Sequence, residues 1–141
     1  NPYGEGQRAQ RAQGVVAAAM QHAMTGTVMP IWGDGGIERD FIHVDDVAAA
    51  FLAGLSHDGP SSVINIGSGV ALTVNDILDA TRRYTGRSLD VDYQPNRRID
   101  VHRNVLSINR AREELGWTPK ICLDEGMKRT AQWWIDQTTK A

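Results

Sequence analysis

Two stretches of the chain gather groups that could hold an anion. In the first, Arg39 lies where the turn Gly33-Asp34-Gly35-Gly36 gives way to the apolar run Phe41, Ile42 and Val44. A guanidinium fixed between a turn and a strand can grip a phosphate or carboxylate through two parallel hydrogen bonds. With Asp34, Glu38 and Asp40 close by, it can equally serve as the partner of one of them. The second stretch, Asn96-Arg97-Arg98-Ile99-Asp100-Val101-His102-Arg103, reads as an anion-gripping loop or as a solvated charged loop. No aromatic residue is interleaved with its arginines and the chain carries a net charge of -2, so nucleic acid is not the expected partner. His22, His43, His57 and His102 are scattered without metal-ligand spacing. Gly67-Ser68-Gly69 follows a strand-like run, as a pyrophosphate-binding loop would. Leu72 stands where the third glycine belongs and the next helix starts late, at Thr73, so that reading is rejected.

These groups need elements to position them. Val15 to Met24 reads as a helix stopped by Gly26. Val28 to Trp32 is a short strand that Pro30 confines to an edge. Asp45 or Asp46 is expected to cap a helix running to about Leu55, and Val63 to Ile66 reads as a buried-type strand. Thr73 opens a capped helix bearing Ile77, Leu78, Thr81 and Tyr84, which Gly86 ends. Leu89 to Tyr93 alternates like a half-buried strand. Ser107 is expected to cap Ile108 to Leu115, before Gly116. Trp117 covers the core, and Leu123 to Gln137 forms a last helix striped by Met127, Thr130, Ala131, Trp134 and Ile135, with Trp133 beside it. The class is α/β, α+β-like, because strands do not alternate with helices regularly enough for a complete doubly wound sheet.

At 141 residues and 41% hydrophobic, the chain suits one soluble domain, residues 1–141, with a real core. No apolar run is long enough to cross a bilayer. A single cysteine, Cys122, forms no internal disulfide and fits the cytoplasm, the expected location. The turn residues Asn1-Pro2-Tyr3-Gly4 usually follow something, so the chain is expected to be a piece of a longer protein.

Seven motifs in order then resemble one family, the NAD-dependent epimerases and dehydratases of nucleotide sugars within the extended short-chain dehydrogenases/reductases, UDP-glucose 4-epimerase being the nearest kind. Asn1 to Gln7 resembles N-P-Y-G-P-G-Q. Gly33 to Ala50 resembles G-D-G-x-x-x-R-D-F-I-H-V-D-D-V-A-x-A. Asn65 to Gly69 resembles N-I-G-S-G, and Arg97-x-x-Asp100 resembles R-x-x-D. Leu115-Gly116-Trp117-Thr118-Pro119, Leu123-x-Glu125-Gly126 and Thr130-x-x-Trp133 complete the set. Glu5 stands where the pattern has proline, a change expected to alter only the turn.

The resemblance implies a substrate-binding part. Asn1, Arg39 and Arg97 match residues that hold a nucleotide-sugar diphosphate. Trp32 matches an aromatic beside the nucleobase, and Phe41 and Asp100 match positions near the ribose. Val15 belongs to backbone lying over the nucleotide, while Pro2 and Tyr3 match positions bordering the nicotinamide. The family's glycine-rich NAD loop and its Tyr-x-x-x-Lys pair are not in this chain: Tyr3, Tyr84 and Tyr93 have no lysine four residues on. The expectation is therefore a chain inactive alone, with NAD a cofactor of the parent enzyme and not tightly bound here. Its partner would be an N-terminal Rossmann domain. The alternative is a non-catalytic binding or self-associating module, since exposed apolar surface favours homo-oligomers.

Overall fold

The computed structural model describes residues 1–9, 14–96 and 101–139. Three helices make its densest part. Helix α1 (Val15–Thr25) ends at Gly26, whose positive φ of 66° lets its amide donate to the His22 carbonyl at 2.9 Å. Helix α3 (Val74–Thr85) starts in a capping box. The Thr73 hydroxyl accepts from the Asp76 amide at 3.0 Å, and the Asp76 carboxylate accepts from the Thr73 amide at 2.8 Å. Helix α5 (Leu123–Thr139) packs against both. Met20, Ile77, Leu78 and Met127 are fully buried among them, as the periodicity of each segment predicts.

Short strands fringe this core. Strand β1 (Pro2–Tyr3) pairs in parallel with β4 (Ile42–His43), and β2 (Met29–Trp32) pairs in parallel with β6 (Val91–Gln94). A third sheet places β3 (Glu38–Asp40) between antiparallel β5 (Ala71–Thr73) and parallel β7 (Arg103–Asn104). Pro30 sits on the exposed side of β2, a strand with one partner among the described residues. The mixed α/β class stands. No described helix is long and apolar enough to cross a membrane.

Three local expectations fail. Helix α2 (Val44–Gly54) is capped by His43, not by Asp45 or Asp46: the imidazole Nδ1 accepts from the Asp45 amide at 3.3 Å, and Val44 is already helical. Asp46 turns inward, and its carboxylate accepts from the amides of Lys120 and Ile121, each at 2.9 Å. Helix α4 (Asn109–Leu115) begins after Ile108 without a side-chain cap, so Ser107 does not cap it. Val63 to Ile66 joins no sheet among the described residues. Ile64 and Ile66 pack against Ile42, Ala50, Ala111 and Trp117, while Val63 and Asn65 are exposed.

Candidate functional site

The turn from Gly33 to Gly36 delivers Arg39 to the middle of the three-stranded sheet, at the mouth of a cleft of about 180 Å³. Asn1, Pro2, Tyr3, Val15, Arg39 and Phe41 all line that cleft, so six positions named from the sequence meet there. A second cleft of about 320 Å³ shares Gly14, Val15, Ile37 and Val74 with it and is bounded by Trp32. The first alone is small for a ligand site, whereas the pair reaches the roughly 300 Å³ and above that small-molecule sites occupy. Arg97 and Asp100 lie outside the described residues. Of the described residues on either side of them, the Gln94 carbonyl accepts from the Gly33 amide at 2.8 Å, and the Val101 carbonyl accepts from Arg39 at 2.7 Å.

Arg39 pairs with none of its neighbouring carboxylates. Its Nη1 donates to the carbonyls of Glu38, at 2.8 Å, and Val101. The Glu38 carboxylate is taken by Arg103, and Asp34 accepts from the Gly36 amide at 2.8 Å. Asp40 is buried and accepts from the Ser68 amide (2.6 Å), the Ser68 hydroxyl (2.7 Å), and the amides of Gly69 (3.0 Å) and Leu106 (3.2 Å). The glycine-rich loop 67–69 thus does cradle an anion, and the anion is the chain's own. Among the described residues Arg39 therefore keeps its full charge at the cleft, with only carbonyl dipoles to steady it.

The other wall is the start of α1. Gly14, at φ 79°, precedes it without a side-chain cap, and no acidic residue lies in its first turn. The Ala18 amide reaches the Gly14 carbonyl at 3.0 Å, so the amides before it are left at the lip of the cleft, at the positive end of an eleven-residue helix. Asn1 is held in place by its Nδ2, which donates to the Asp40 carbonyl at 2.9 Å. Gln7 and Val74 also line this cleft, and Ile37 and Val74 line both; the sequence offered no reason to single out the last two, which are ordinary apolar residues on either side of the turn and helix start.

Tyr3, which lines the cleft, is buried edge-on to His43, and its hydroxyl abuts Gly126 of α5. Burial, then the nearby Cys122, Asp46 and Glu5, push that hydroxyl above the usual tyrosine range, which favours its neutral form. Glu5 does more than alter a turn. It accepts from Arg129 at 2.8 Å and meets His43 Nε2 at 2.9 Å, and Arg129 also donates to Asp45 at 2.5 Å. Because His43 Nδ1 accepts from a backbone amide, its proton sits on Nε2 and points at Glu5. Partial burial works against ionisation of Glu5, but a backbone amide, Arg129 and His43 together hold its carboxyl below the usual range. The bond from Arg129 does the same for Asp45, against slight desolvation.

The family model described as NAD dependent epimerase/dehydratase family matches residues 1–67. UDP-glucose 4-epimerase of Mycolicibacterium smegmatis is 34% identical over 138 residues, 98% of this chain and 44% of that protein. The chain belongs to the extended short-chain dehydrogenases/reductases. It superposes on Thermotoga maritima UDP-glucose 4-epimerase with UDP-glucose at a TM-score of 0.90, with 36% identity, covering 97% of this chain and 44% of that one. Thermus thermophilus UDP-glucose 4-epimerase complexed with NAD gives 0.85 at 29% identity, covering 95% and 44%. The chain thus spans about 44% of the length of these relatives and corresponds to their C-terminal part.

Proposed function

We propose that residues 1–141 are the nucleotide-sugar-binding unit of an NAD-dependent 4-epimerase or dehydratase, and that the unit performs no turnover by itself. The observation that carries this is the Arg39 guanidinium, ion-paired with no carboxylate among the described residues, lining one cleft together with the start of α1, which has no side-chain cap among the described residues. A diphosphate needs donors on two sides, and this cleft offers a cation on one and amides on the other. In this reading Asn1, Arg39 and Arg97 hold the diphosphate while the Val15 backbone lies over it. Trp32 flanks the base from the adjoining cleft, and Phe41 and Asp100 approach the ribose. Pro2 and Tyr3 border the nicotinamide of the parent enzyme, whose NAD is held by the missing half. Relatives solved with UDP-glucose and with NAD support the same assignment. Such a unit would draw on a cytoplasmic pool of nucleotide sugars.

Calorimetric titration with UDP-glucose tests it. The chain should bind, and Arg39→Ala should weaken binding about ten- to a hundredfold, the worth of a charge-assisted contact. Arg97→Ala should act in the same direction. Absence of binding, or an affinity untouched by both substitutions, overturns the reading. An assay with UDP-glucose and NAD should show no turnover, and measurable epimerisation would refute the claim of inactivity.

A further inference from the structure

The two adjoining clefts differ in chemistry. Arg39 lines the first, whereas no aspartate, glutamate, lysine or arginine lines the second among the described residues. One wall of the second cleft is the half-buried stripe Val15, Ala18 and His22, at the i, i+3 and i+7 spacing of one face of α1. Strand β2 lines it too, and among the described lining residues only His22 and Trp32 bring a side-chain nitrogen or oxygen. A cleft of this kind suits an uncharged planar group with few polar atoms, and a diphosphate would lie there without a counter-charge.

The neighbours of His22 decide which of its ring nitrogens carries the proton. The Thr25 hydroxyl donates to the Gln21 carbonyl at 3.0 Å, so the proton in its 2.8 Å contact with the Thr27 hydroxyl comes from Thr27. That leaves Thr27 no proton for His22 Nδ1, which lies 2.8 Å from the Thr27 hydroxyl oxygen and 3.2 Å from the Thr27 carbonyl, a group that only accepts. In the neutral imidazole Nδ1 therefore holds the proton and donates to Thr27, and Nε2 is a bare acceptor. Nε2 makes no hydrogen bond among the described residues. The bonds to Thr27 fix the ring before any ligand arrives, so the acceptor is preorganised.

We infer that His22 selects the base of the nucleotide: its Nε2 accepts from the ring N–H of an imide-bearing pyrimidine such as uracil, whose N–H lies between two carbonyls. Cytosine presents a bare nitrogen at that place, and two lone pairs would then face each other. The inference rests on the reading that the base occupies this second cleft beside Trp32, and it adds the group that reads the base edge.

Calorimetric titration with UDP, CDP and UDP methylated at the ring nitrogen tests it. The parent chain should prefer UDP to each of the others by about tenfold or more, the effect of leaving one buried acceptor without its donor. His22→Leu should reduce both preferences to about twofold or less. His22→Gln, whose amide oxygen can stand where Nε2 does, should keep a preference of about fivefold. Each preference is a ratio within one variant, so a general loss of stability lowers the affinities together and leaves the ratio alone. Arg39→Ala should weaken all three ligands alike and preserve the preference, which separates this contact from the grip on the diphosphate. Equal binding of the three ligands by the parent chain, or a preference that survives His22→Leu, overturns the inference and leaves the nucleotide-sugar reading standing. A chain that binds none of the three overturns both.

Discussion

Helices α1 and α2 have the same length, eleven residues, and similar alanine-rich sequences, but they meet opposite fates. Helix α1 buries Val16, Ala17, Ala19, Met20, Ala23 and Met24, while α2 buries only Asp46 and Ala50. Intrinsic propensity is equally favourable for both. The difference lies in their neighbours, since α1 is wedged against α3 and α5 whereas α2 has β4, α4 and an unpaired segment on one side. The contrast teaches that neighbouring elements, and not propensity, decide which helix is buried.

The sharpest way to break that comparison is to cut matching holes on the two sides. Met127→Ala removes a fully buried side chain between α1, α3 and α5 and should cost about 2–5 kcal/mol. Phe51→Ala removes a larger side chain that is mostly in water and should stay within about 0.5 kcal/mol. Urea unfolding of both variants decides the matter, and similar losses would mean that α2 is as well packed as α1.

Asp40 ties the cleft to both sides, and its substitution comes next in size. Asp40→Asn keeps the shape but turns an amide group toward the donors of Ser68, Gly69 and Leu106. At least one buried donor loses its acceptor, for roughly 1–3 kcal/mol. Denaturant melts should show this loss, and proteolysis should reach the 67–69 loop sooner. An Asn variant as stable as the parent would mean that the loop does not depend on the carboxylate.

A smaller effect depends on pH. Glu5 and Asp45 both have folded-state carboxyls held below their usual range, with Arg129 the shared partner. A depressed pKa contributes stability that is present above the unfolded value, about 4, and lost as pH falls through the lower folded value. The melting temperatures of the parent and Arg129→Met should therefore differ most near neutral pH and converge toward about pH 3. A gap that stays constant with pH would show that Arg129 acts through its apolar stem alone.

How much of this could be read from the sequence follows the range of the forces involved. Helices and their glycine stops at Gly26, Gly86 and Gly116 were legible because periodicity and a left-handed cap are local. So was the convergence of Asn1, Arg39 and Phe41, through motif order. Strands of two or three residues, such as β1, β3 and β7, are too short to show alternation, and distant partners decide them. Arg39 looked ready to pair with Asp34, Glu38 or Asp40 because they are near in sequence. Glu38 and Asp40 were claimed by groups that only the fold brings close, Arg103 and the loop at Ser68, while Asp34 was taken locally by the Gly36 amide.

Helix caps show the same divide at its smallest scale. Thr73 and Ser107 looked alike from the sequence, each a hydroxyl ahead of an apolar periodic run. At α3, Thr73 has its reciprocal partner Asp76 three residues on, and both halves of the box form. On the α2–α4 side, helix α4 starts at Asn109, and the Ser107 carbonyl, not its hydroxyl, is engaged, by Asn65 at 3.5 Å. Thr73→Ala should therefore cost about 1 kcal/mol. Ser107→Ala should fall within about 0.5 kcal/mol of the parent, because no capping bond is there to lose. Thermal melts of the two variants separate these outcomes. A penalty for Ser107→Ala as large as that for Thr73→Ala would show that α4 begins at Ser107 in solution and that the α2–α4 side is more completely ordered than its exposed residues imply.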